Sequence, residues 1–243
     1  MINQFSRLEL LIGTDALAKL KTKKVAVFGL GGVGGNVCDG LVRSGITNIA
    51  IIDNDSVTIS NINRQLIANV ETIGLAKTDV MEKHLKSLNP EVKVDKYKMF
   101  YLPQNSDNFD FASFDYVVDA IDTVSAKIDI VLKCHELNIP VISAMGCGNR
   151  LDPLKLVVAD LFKTENDPLA KVMRYELRKR NIKKLKVVYS KEPAIKPETI
   201  SEEDSPKRAI PGSSAFVPPV AGILIAKEVI FDLLKKEEAH NEI

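Results

Sequence analysis

Hydrophobic and polar positions change period repeatedly along the chain. Lys24–Phe28 and Asn48–Asp53 are short, nearly unbroken apolar runs, the pattern of strands buried on both faces. Val92–Lys96, Asp115–Ala120 and Pro140–Ala144 read the same way. Between these runs the apolar positions fall at helical spacing over Asn36–Arg43, Gly74–Leu88 and Ala126–Leu137, and Asn89-Pro90 closes the second of these helices. Ile2–Leu20 predicts a helical lead-in that turns at Gly13. Strands alternating with helices predict an α/β fold: a Rossmann-like, doubly wound, mainly parallel sheet with helices on both faces.

The pattern shifts after Gly146. Leu154–Phe162 predicts a strand, Pro168–Arg180 a helix and Leu185–Tyr189 a strand. Glu192–Ser214 is rich in Pro, Ser and charge and predicts a mobile loop. Phe216–Lys236 predicts a closing helix whose first turn is blocked by Pro218 and Pro219. The expected organisation is a single unit over 1–243. A nucleotide-binding core fills 1–146, and a C-terminal part, 147–243, carries a basic segment at 171–191, the loop at 192–214 and the closing helix.

Between the first strand and its helix stands Gly29-Leu30-Gly31-Gly32-Val33-Gly34, a G-x-G-x-x-G loop. Glycines there let backbone N–H groups approach phosphates, and the helix N-terminus adds a favourable dipole. Asp53 ends the second strand, where an acid can bind a ribose. The loop alone fits NAD, FAD, S-adenosylmethionine or ATP equally well. Arg64, Lys77 and Asp122 break the tie. Attack on an α-phosphate builds negative charge that cations such as Arg64 and Lys77 stabilise. A carboxylate at a strand end, Asp122, can hold Mg²⁺ through oxygen. Taken singly, each has a plainer reading: solvated surface charges for the two cations, a helix cap for Asp122. Together with the loop and Asp53, they favour nucleotidyl transfer.

Composition narrows the class. Hydrophobic residues make up 45% of the 243 positions, enough for a sizeable core. A net charge of +1 describes no general nucleic-acid binder, so any attraction to RNA must come from a local patch. The three cysteines, Cys38, Cys134 and Cys147, form no C-x-x-C pair and predict no structural zinc. Their odd count and the lack of a secretory leader fit a reducing cytoplasm. The apolar run Ala215–Ala226 carries two prolines and is too short to span a bilayer, so no obligatory membrane insertion is expected; peripheral membrane association stays open. Cys147 reads as a packing residue, because no base stands beside it in sequence. His84, His135 and His240 lack metal-ligand spacing.

Gly29-x-Gly31-Gly32-x-Gly34, Asp53-x-Asp55, Asn61-x-x-Arg64-Gln65, Lys77 and Asp122 together resemble the ThiF/MoeB/HesA family, relatives of the ubiquitin-activating enzymes, over about Arg7 to Met145. The resemblance implies ATP as substrate. Asp53 would bind its ribose, Asp55 and Asn61 would shape the pocket, Arg64 and Lys77 would hold phosphates, and Asp122 would bind Mg²⁺. Gln65 would belong to the same nucleotide site. The resemblance also implies a homodimer in which Arg7, in a less distinctive context, enters the neighbouring subunit's site. It leaves room for a monovalent cation, Na⁺ or K⁺, and for a cysteine desulfurase system as partner.

Two acceptor types occur in that family: the C-terminus of a ubiquitin-like sulfur carrier, and the threonyl carboxylate of threonylcarbamoyladenosine in tRNA, where a nitrogen closes a ring and expels AMP. The missing C-x-x-C pairs, the segments Gly74–Thr78 and Val118–Asp122, and the stretch from Ala159 to Ala170 resemble the tRNA threonylcarbamoyladenosine dehydratases of the family. A basic run supports an RNA partner: Arg174, Arg178, Lys179, Arg180, Lys183 and Lys184 are its candidate tRNA contacts, within 171–191, where Glu176 is the lone acid. The plainer reading of such a run is a solvated helix face. Some members carry a cysteine in the late loop, but Lys207–Ser214 has none; in this the chain departs from them, and a mechanism or sulfur relay through such a cysteine is not expected of it. The sulfur-carrier adenylyltransferase remains the alternative, with an NAD-dependent oxidoreductase and a non-catalytic nucleotide-binding scaffold more remote.

Overall fold

The computed structural model describes residues 2–198 and 211–235. Seven strands build one sheet: Lys24–Phe28 (β1), Asn48–Ile52 (β2), Lys93–Tyr97 (β3), Tyr116–Asp119 (β4), Val141–Ala144 (β5), Leu156–Asp160 (β6) and Lys186–Ser190 (β7). Their order is β3-β2-β1-β4-β5-β7-β6. Neighbours run parallel except β6, which returns antiparallel to β7 at the edge. The helices are Ser6–Ile12 (α1), Thr14–Thr22 (α2), Gly34–Arg43 (α3), Lys77–Leu88 (α4), Val124–Glu136 (α5), Pro168–Arg178 (α6) and Val217–Leu234 (α7).

The period of two in each strand sorts its side chains between two layers. Val25, Val27, Ile49 and Ile51 meet the apolar faces of α3, α4 and α7. Ala26, Phe28, Ala50 and Ile52 point the other way, onto α5 and a group of rings from Tyr101, Phe109, Phe111 and Phe114. On that second face, α6 packs Met173 and Leu177 against α5 and against Val187 and Tyr189 of β7. Helices therefore cover both faces, as the alternation predicts. Helices α3 and α7 pack unusually close: a Cβ at Gly222 would fall 2.4 Å from the Val33 carbonyl oxygen.

Three local expectations need correction. The helix predicted from Gly74 begins at Lys77. Gly74 takes φ +85°, and Ala76 is extended and bridged to Ser56, so neither can open a helical turn. Pro218 and Pro219 do not block the last helix. They occupy its first turn, where the missing N–H would have no helical partner anyway. The strand predicted over Leu154–Phe162 shrinks to Leu156–Asp160, because short 3-10 turns flank it. The Asp152 and Asp160 side chains accept the Leu154 and Phe162 N–H groups and start those turns. Of the loop predicted at 192–214, positions 199–210 lie outside the described residues, as does Lys236. No helix among the described residues is long and apolar enough to cross a membrane.

Helix α7 is tied to the amino-terminal ends of β4 and β7 by a polar knot. Lys186 Nζ lies 2.5 Å from Asp232 Oδ2 and 3.0 Å from Glu228 Oε2, and the Tyr116 hydroxyl donates to Asp232 Oδ2 at 2.8 Å. Burial opposes ionisation of Asp232, but hydrogen bonds from Lys186, Lys235 and Tyr116 overcome it and hold the carboxyl below its usual range. A carboxyl lowered by folding stabilises the fold above its unfolded pKa of about 4, and that stability is lost as pH falls through the folded value. Urea unfolding between pH 5 and pH 3 is expected to show falling stability, with a shallower fall in Asp232→Asn. Identical slopes in the two proteins would refute this coupling.

Candidate functional site

Strands β1, β2 and β4 end side by side, and the sheet order reverses between β1 and β4. Ligands bind at such a switch point, beyond the carboxyl ends of the strands. There β1 turns into α3 through Gly29–Val33. Gly29 has φ +90°, and a Cβ on it would lie 2.6 Å from the Ala120 carbonyl oxygen. A Cβ on Gly34 would come within 1.8 Å of the Gly29 carbonyl oxygen, so only glycine closes this turn. Gly31 has open space around it, and a Cβ on Gly32 would touch Pro218 and Arg64. Among the described residues, no hydrogen bond uses the N–H of Gly31, Gly32 or Val33. These three donors at the start of α3 form a cradle for an anion.

Asp53 follows β2. Its Oδ2 accepts the Leu30 N–H at 2.6 Å and its Oδ1 accepts the Asp55 N–H at 2.8 Å. Burial raises its carboxyl above the usual range, against the opposing pull of Lys77 and these two N–H groups. Lys77 opens α4 and is 5% exposed. Its Nζ lies 2.8 Å from Asp55 Oδ2, so a cation is held under the loop by an acid that is itself exposed. Asn61 caps a short 3-10 turn through the Thr58 N–H, which sets the chain direction for the residues that follow. Arg64 donates to the Ser60 carbonyl at 2.7 Å and to Asn63 Oδ1 at 2.9 Å, beside Gly32. Gln65 is buried, and its Oε1 has no hydrogen-bond partner among the described residues. Asp122 is exposed just beyond β4, and its charge reaches Cys147.

The predicted nucleotide residues thus converge: Gly29, Gly31, Gly32, Gly34, Asp53, Asp55, Asn61, Arg64, Gln65, Lys77 and Asp122. Arg7 does not join them. It is exposed on α1, and that segment docks at the end of the sheet opposite the site, where β1 and β3 begin: Phe5 is buried beneath Lys21, and Gln4 Nε2 donates to Asn89 at the end of α4. The basic residues at the end of α6 also lie at that opposite end of the sheet, where β7 begins.

Sequence reading missed two buried ion pairs that shape the loops. Asp119 and Lys127 are both 0% exposed and lie 2.9 Å apart. Ser143 Oγ donates to Asp119 Oδ2 at 2.5 Å, and Lys127 Nζ donates to the Ile121 carbonyl at 3.0 Å, so the pair fastens the turn that presents Asp122. The signal was available: Lys127 interrupts the apolar face of the helix predicted at Ala126–Leu137. Arg150 and Asp167 form the second pair, at 3.6 Å. Asp167 accepts from the Gly146 and Ala170 N–H groups, and Arg150 donates to the Gly146 and Glu192 carbonyls. Removing one partner of such a pair costs about 3–5 kcal/mol.

A family model described as the ThiF family matches residues 5–242. The chain belongs to the ThiF family. The match extends well past Met145, where the resemblance in sequence stops, and takes in β6, β7 and α7. The chain is 43% identical to the tRNA threonylcarbamoyladenosine dehydratase of Bacillus subtilis, covering 98% of this chain and 97% of that one. It is 37% identical to the enzyme of the same name from Haemophilus influenzae, over 92% and 90% of the two chains. Among solved structures, Escherichia coli tRNA N6-threonylcarbamoyladenosine dehydratase in complex with ATP superposes with a TM-score of 0.87 at 30% identity, covering 95% of this chain and 93% of that one.

Within this ThiF-family site Cys147 is buried, and burial pushes its thiol up to about 12. A thiol so rarely ionised is a poor nucleophile at neutral pH. Cys147→Ala is expected to retain the turnover of the unsubstituted protein in a steady-state assay. Loss of turnover with the fold intact by circular dichroism would give Cys147 a chemical role.

Proposed function

We propose that this protein is an ATP-dependent tRNA threonylcarbamoyladenosine dehydratase, acting as one adenylating unit over its whole length. The observation that carries the reading is the anion cradle at Gly31–Val33, flanked by Asp53, Arg64 and Lys77 at the switch point of the sheet. Full-length similarity to enzymes of that name supports the choice of carboxylate.

ATP fits the residues present. The three unspent N–H groups and the small side of Gly31 accommodate phosphates, Asp53 offers a carboxylate to a ribose, and the unpartnered Gln65 Oε1 leaves an acceptor for a ligand donor. Among the described residues, no cluster of three or more His, Cys, Asp or Glu could hold a metal ion. Mg²⁺ bound through one carboxylate and the substrate's phosphates needs no such cluster, so Asp122 fits that role. Bound there, Mg²⁺ would supply charge neutralisation to the triphosphate. A monovalent cation and a cysteine desulfurase partner have no residue in the site that argues for them.

In the first step, an oxygen of the threonyl carboxylate attacks the α-phosphorus. The α–β phosphoanhydride bond breaks and pyrophosphate leaves, giving an acyl adenylate. Arg64 and Lys77 stabilise the charge that grows on the phosphoryl oxygens and the leaving group. In the second step, a nitrogen of the substrate's own carbamoyl group attacks the activated carbonyl, its proton is lost, and AMP departs with the carboxylate oxygen. Ring closure is intramolecular, so positioning replaces a protein nucleophile. This fits the unreactive Cys147.

Incubation with ATP, Mg²⁺ and threonylcarbamoylated tRNA is expected to release AMP and pyrophosphate and to remove one water from the nucleoside by mass spectrometry. Unchanged nucleoside mass would refute the assignment, and AMP transfer to a small Gly-Gly-ending protein without tRNA would favour the sulfur-carrier alternative. Arg64→Ala and Asp122→Ala are each expected to lower kcat by about 10²- to 10³-fold. Activity equal to the unsubstituted protein would remove the roles given to them.

A homodimer completes the reading. Phe216, Val220 and Ile223 form an exposed stripe along α7, and Ile59, Ile62, Leu66, Val70 and Leu75 are exposed in the segment that carries Arg64. Apolar exposure on this scale marks an interface. Arg7, remote from its own site, would act in a partner's. Mixing inactive Arg7→Ala and Asp122→Ala proteins is expected to restore activity, because the hybrid dimer holds one intact site. Failure of the mixture, with hybrid dimers shown by native mass spectrometry, would exclude the cross-subunit role.

A further inference from the structure

The basic residues sit apart from the chemistry. Helix α6 starts beside the site, where Asp167 contacts Gly146, and runs toward the opposite edge of the sheet, where β7 begins. Its eleven residues carry the chain roughly 16 Å at 1.5 Å per residue. At its far end a cavity of about 340 Å³ opens, lined by Phe162, Arg178, Asn181, Ile182 and Lys183. The Arg178 guanidinium lies over the Phe162 ring at 5.3 Å. Asn181 takes φ +59°, which turns the chain where Lys183 joins the lining. Ile182 also lines a second cavity, of about 460 Å³, together with Lys184.

The cations of this run are not equivalent. Arg174 is half-buried and donates to Thr164, so it braces the fold. Lys179 and Arg180 are engaged by Glu176 at 3.3 and 2.7 Å. Lys163, Lys183 and Lys184 are exposed and have no ion-pair partner among the described residues. Arg178 has an aromatic ring as its neighbour but no ion-pair partner among the described residues. The result is a slot whose wall carries an aromatic ring and a guanidinium, and whose two lining cations, Arg178 and Lys183, have no ion-pair partner among the described residues. A wall of that kind stacks a nucleobase, and lysines at the rim take the adjoining phosphates.

We propose that the Phe162–Arg178–Lys183 slot binds an unpaired nucleotide of the RNA substrate, at a distance from the nucleotide that reacts. This rests on the tRNA reading above. The slot anchors the RNA while the ATP end of the sheet performs the chemistry, so it sets affinity for RNA and not the rate of adenylation. An acidic protein partner would be attracted by the same charge, but it has no use for the stacking wall.

Binding of threonylcarbamoylated tRNA as a function of salt, measured with the full-length protein by fluorescence anisotropy, tests the slot. Lys183→Glu, an exposed change that leaves the core intact, is expected to weaken binding at least tenfold and to flatten the dependence of log Kd on log salt. Phe162→Ala is expected to weaken binding about tenfold with the salt slope unchanged, because it removes stacking and not charge. Phe162→Tyr is expected to restore it. In all three variants kcat at saturating tRNA and the affinity for ATP are expected to stay at the unsubstituted level. Variants that bind tRNA as well as an active unsubstituted protein overturn the slot alone. So does Lys183→Glu losing capture of an acidic protein while its tRNA affinity is unchanged. An unsubstituted protein that neither binds nor converts tRNA overturns the slot and the tRNA reading together.

Discussion

The site depends on a backbone contact that tolerates no side chain. Where β1 becomes α3, the Gly29 carbonyl oxygen occupies the space a Cβ on Gly34 would need, and Gly29 itself lies against Ala120. Three strand ends are drawn together by that fit. Asp53 can then reach the Leu30 N–H, while the next three N–H groups have no acceptor among the described residues. The anion cradle is the by-product of a tight turn between helix and sheet. The rest of the site is arranged around it: Lys77 beneath, Arg64 beside Gly32 and Asp122 on the neighbouring strand end.

Buried charge plays a second, separate part. Asp119 with Lys127, and Arg150 with Asp167, contact backbone at the turns that follow β4 and β5. Charges taken out of water are costly unless paired and hydrogen-bonded, and these two pairs are both. Their position explains why they are ionic. A turn offers bare carbonyls and N–H groups, which an apolar residue of the same size would leave unsatisfied. The cations proposed to face substrate, by contrast, come from the loop before α4, from its first residue and from the end of α6.

The sheet and its nucleotide loop were legible because both are written locally. The run at β1 lies between Lys23 and Gly29 and reads to its ends. The Gly-rich loop carries its own geometry, Asp53 and Asp122 follow strand ends that the same pattern locates, and Arg64 and Lys77 fall between β2 and the body of α4. What was not legible depends on partners distant in sequence. Ala76 is extended because Ser56 bridges it. Lys127 interrupts an apolar helix face in the sequence, but its partner is found only when the fold sets Asp119 2.9 Å away. Nothing in the basic run tells which end of the sheet it occupies. That follows from Asp167, which holds the start of α6 at Gly146, and from β7, which runs parallel to β5 and so begins at the opposite end of the sheet. Pro218 and Pro219 misled because a proline that breaks a helix interior is favoured in its first turn.

Asn149 brings together two distant stretches of chain. Its carbonyl accepts the Ile195 N–H at 2.7 Å, its side-chain oxygen accepts the Gly212 N–H at 2.6 Å, and its own N–H donates back to the Gly212 carbonyl. Asn63, next to Arg64, holds the Ser213 carbonyl at 2.9 Å. The chain between Ile195 and Gly212 is therefore closed at its base by one residue. The anchoring asparagine is not replaceable by a residue that lacks both its acceptor and its tolerance of φ +58°. One side chain and its own backbone thus tie three separate stretches of chain, so replacing Asn149 would release Ile195 and Gly212 together.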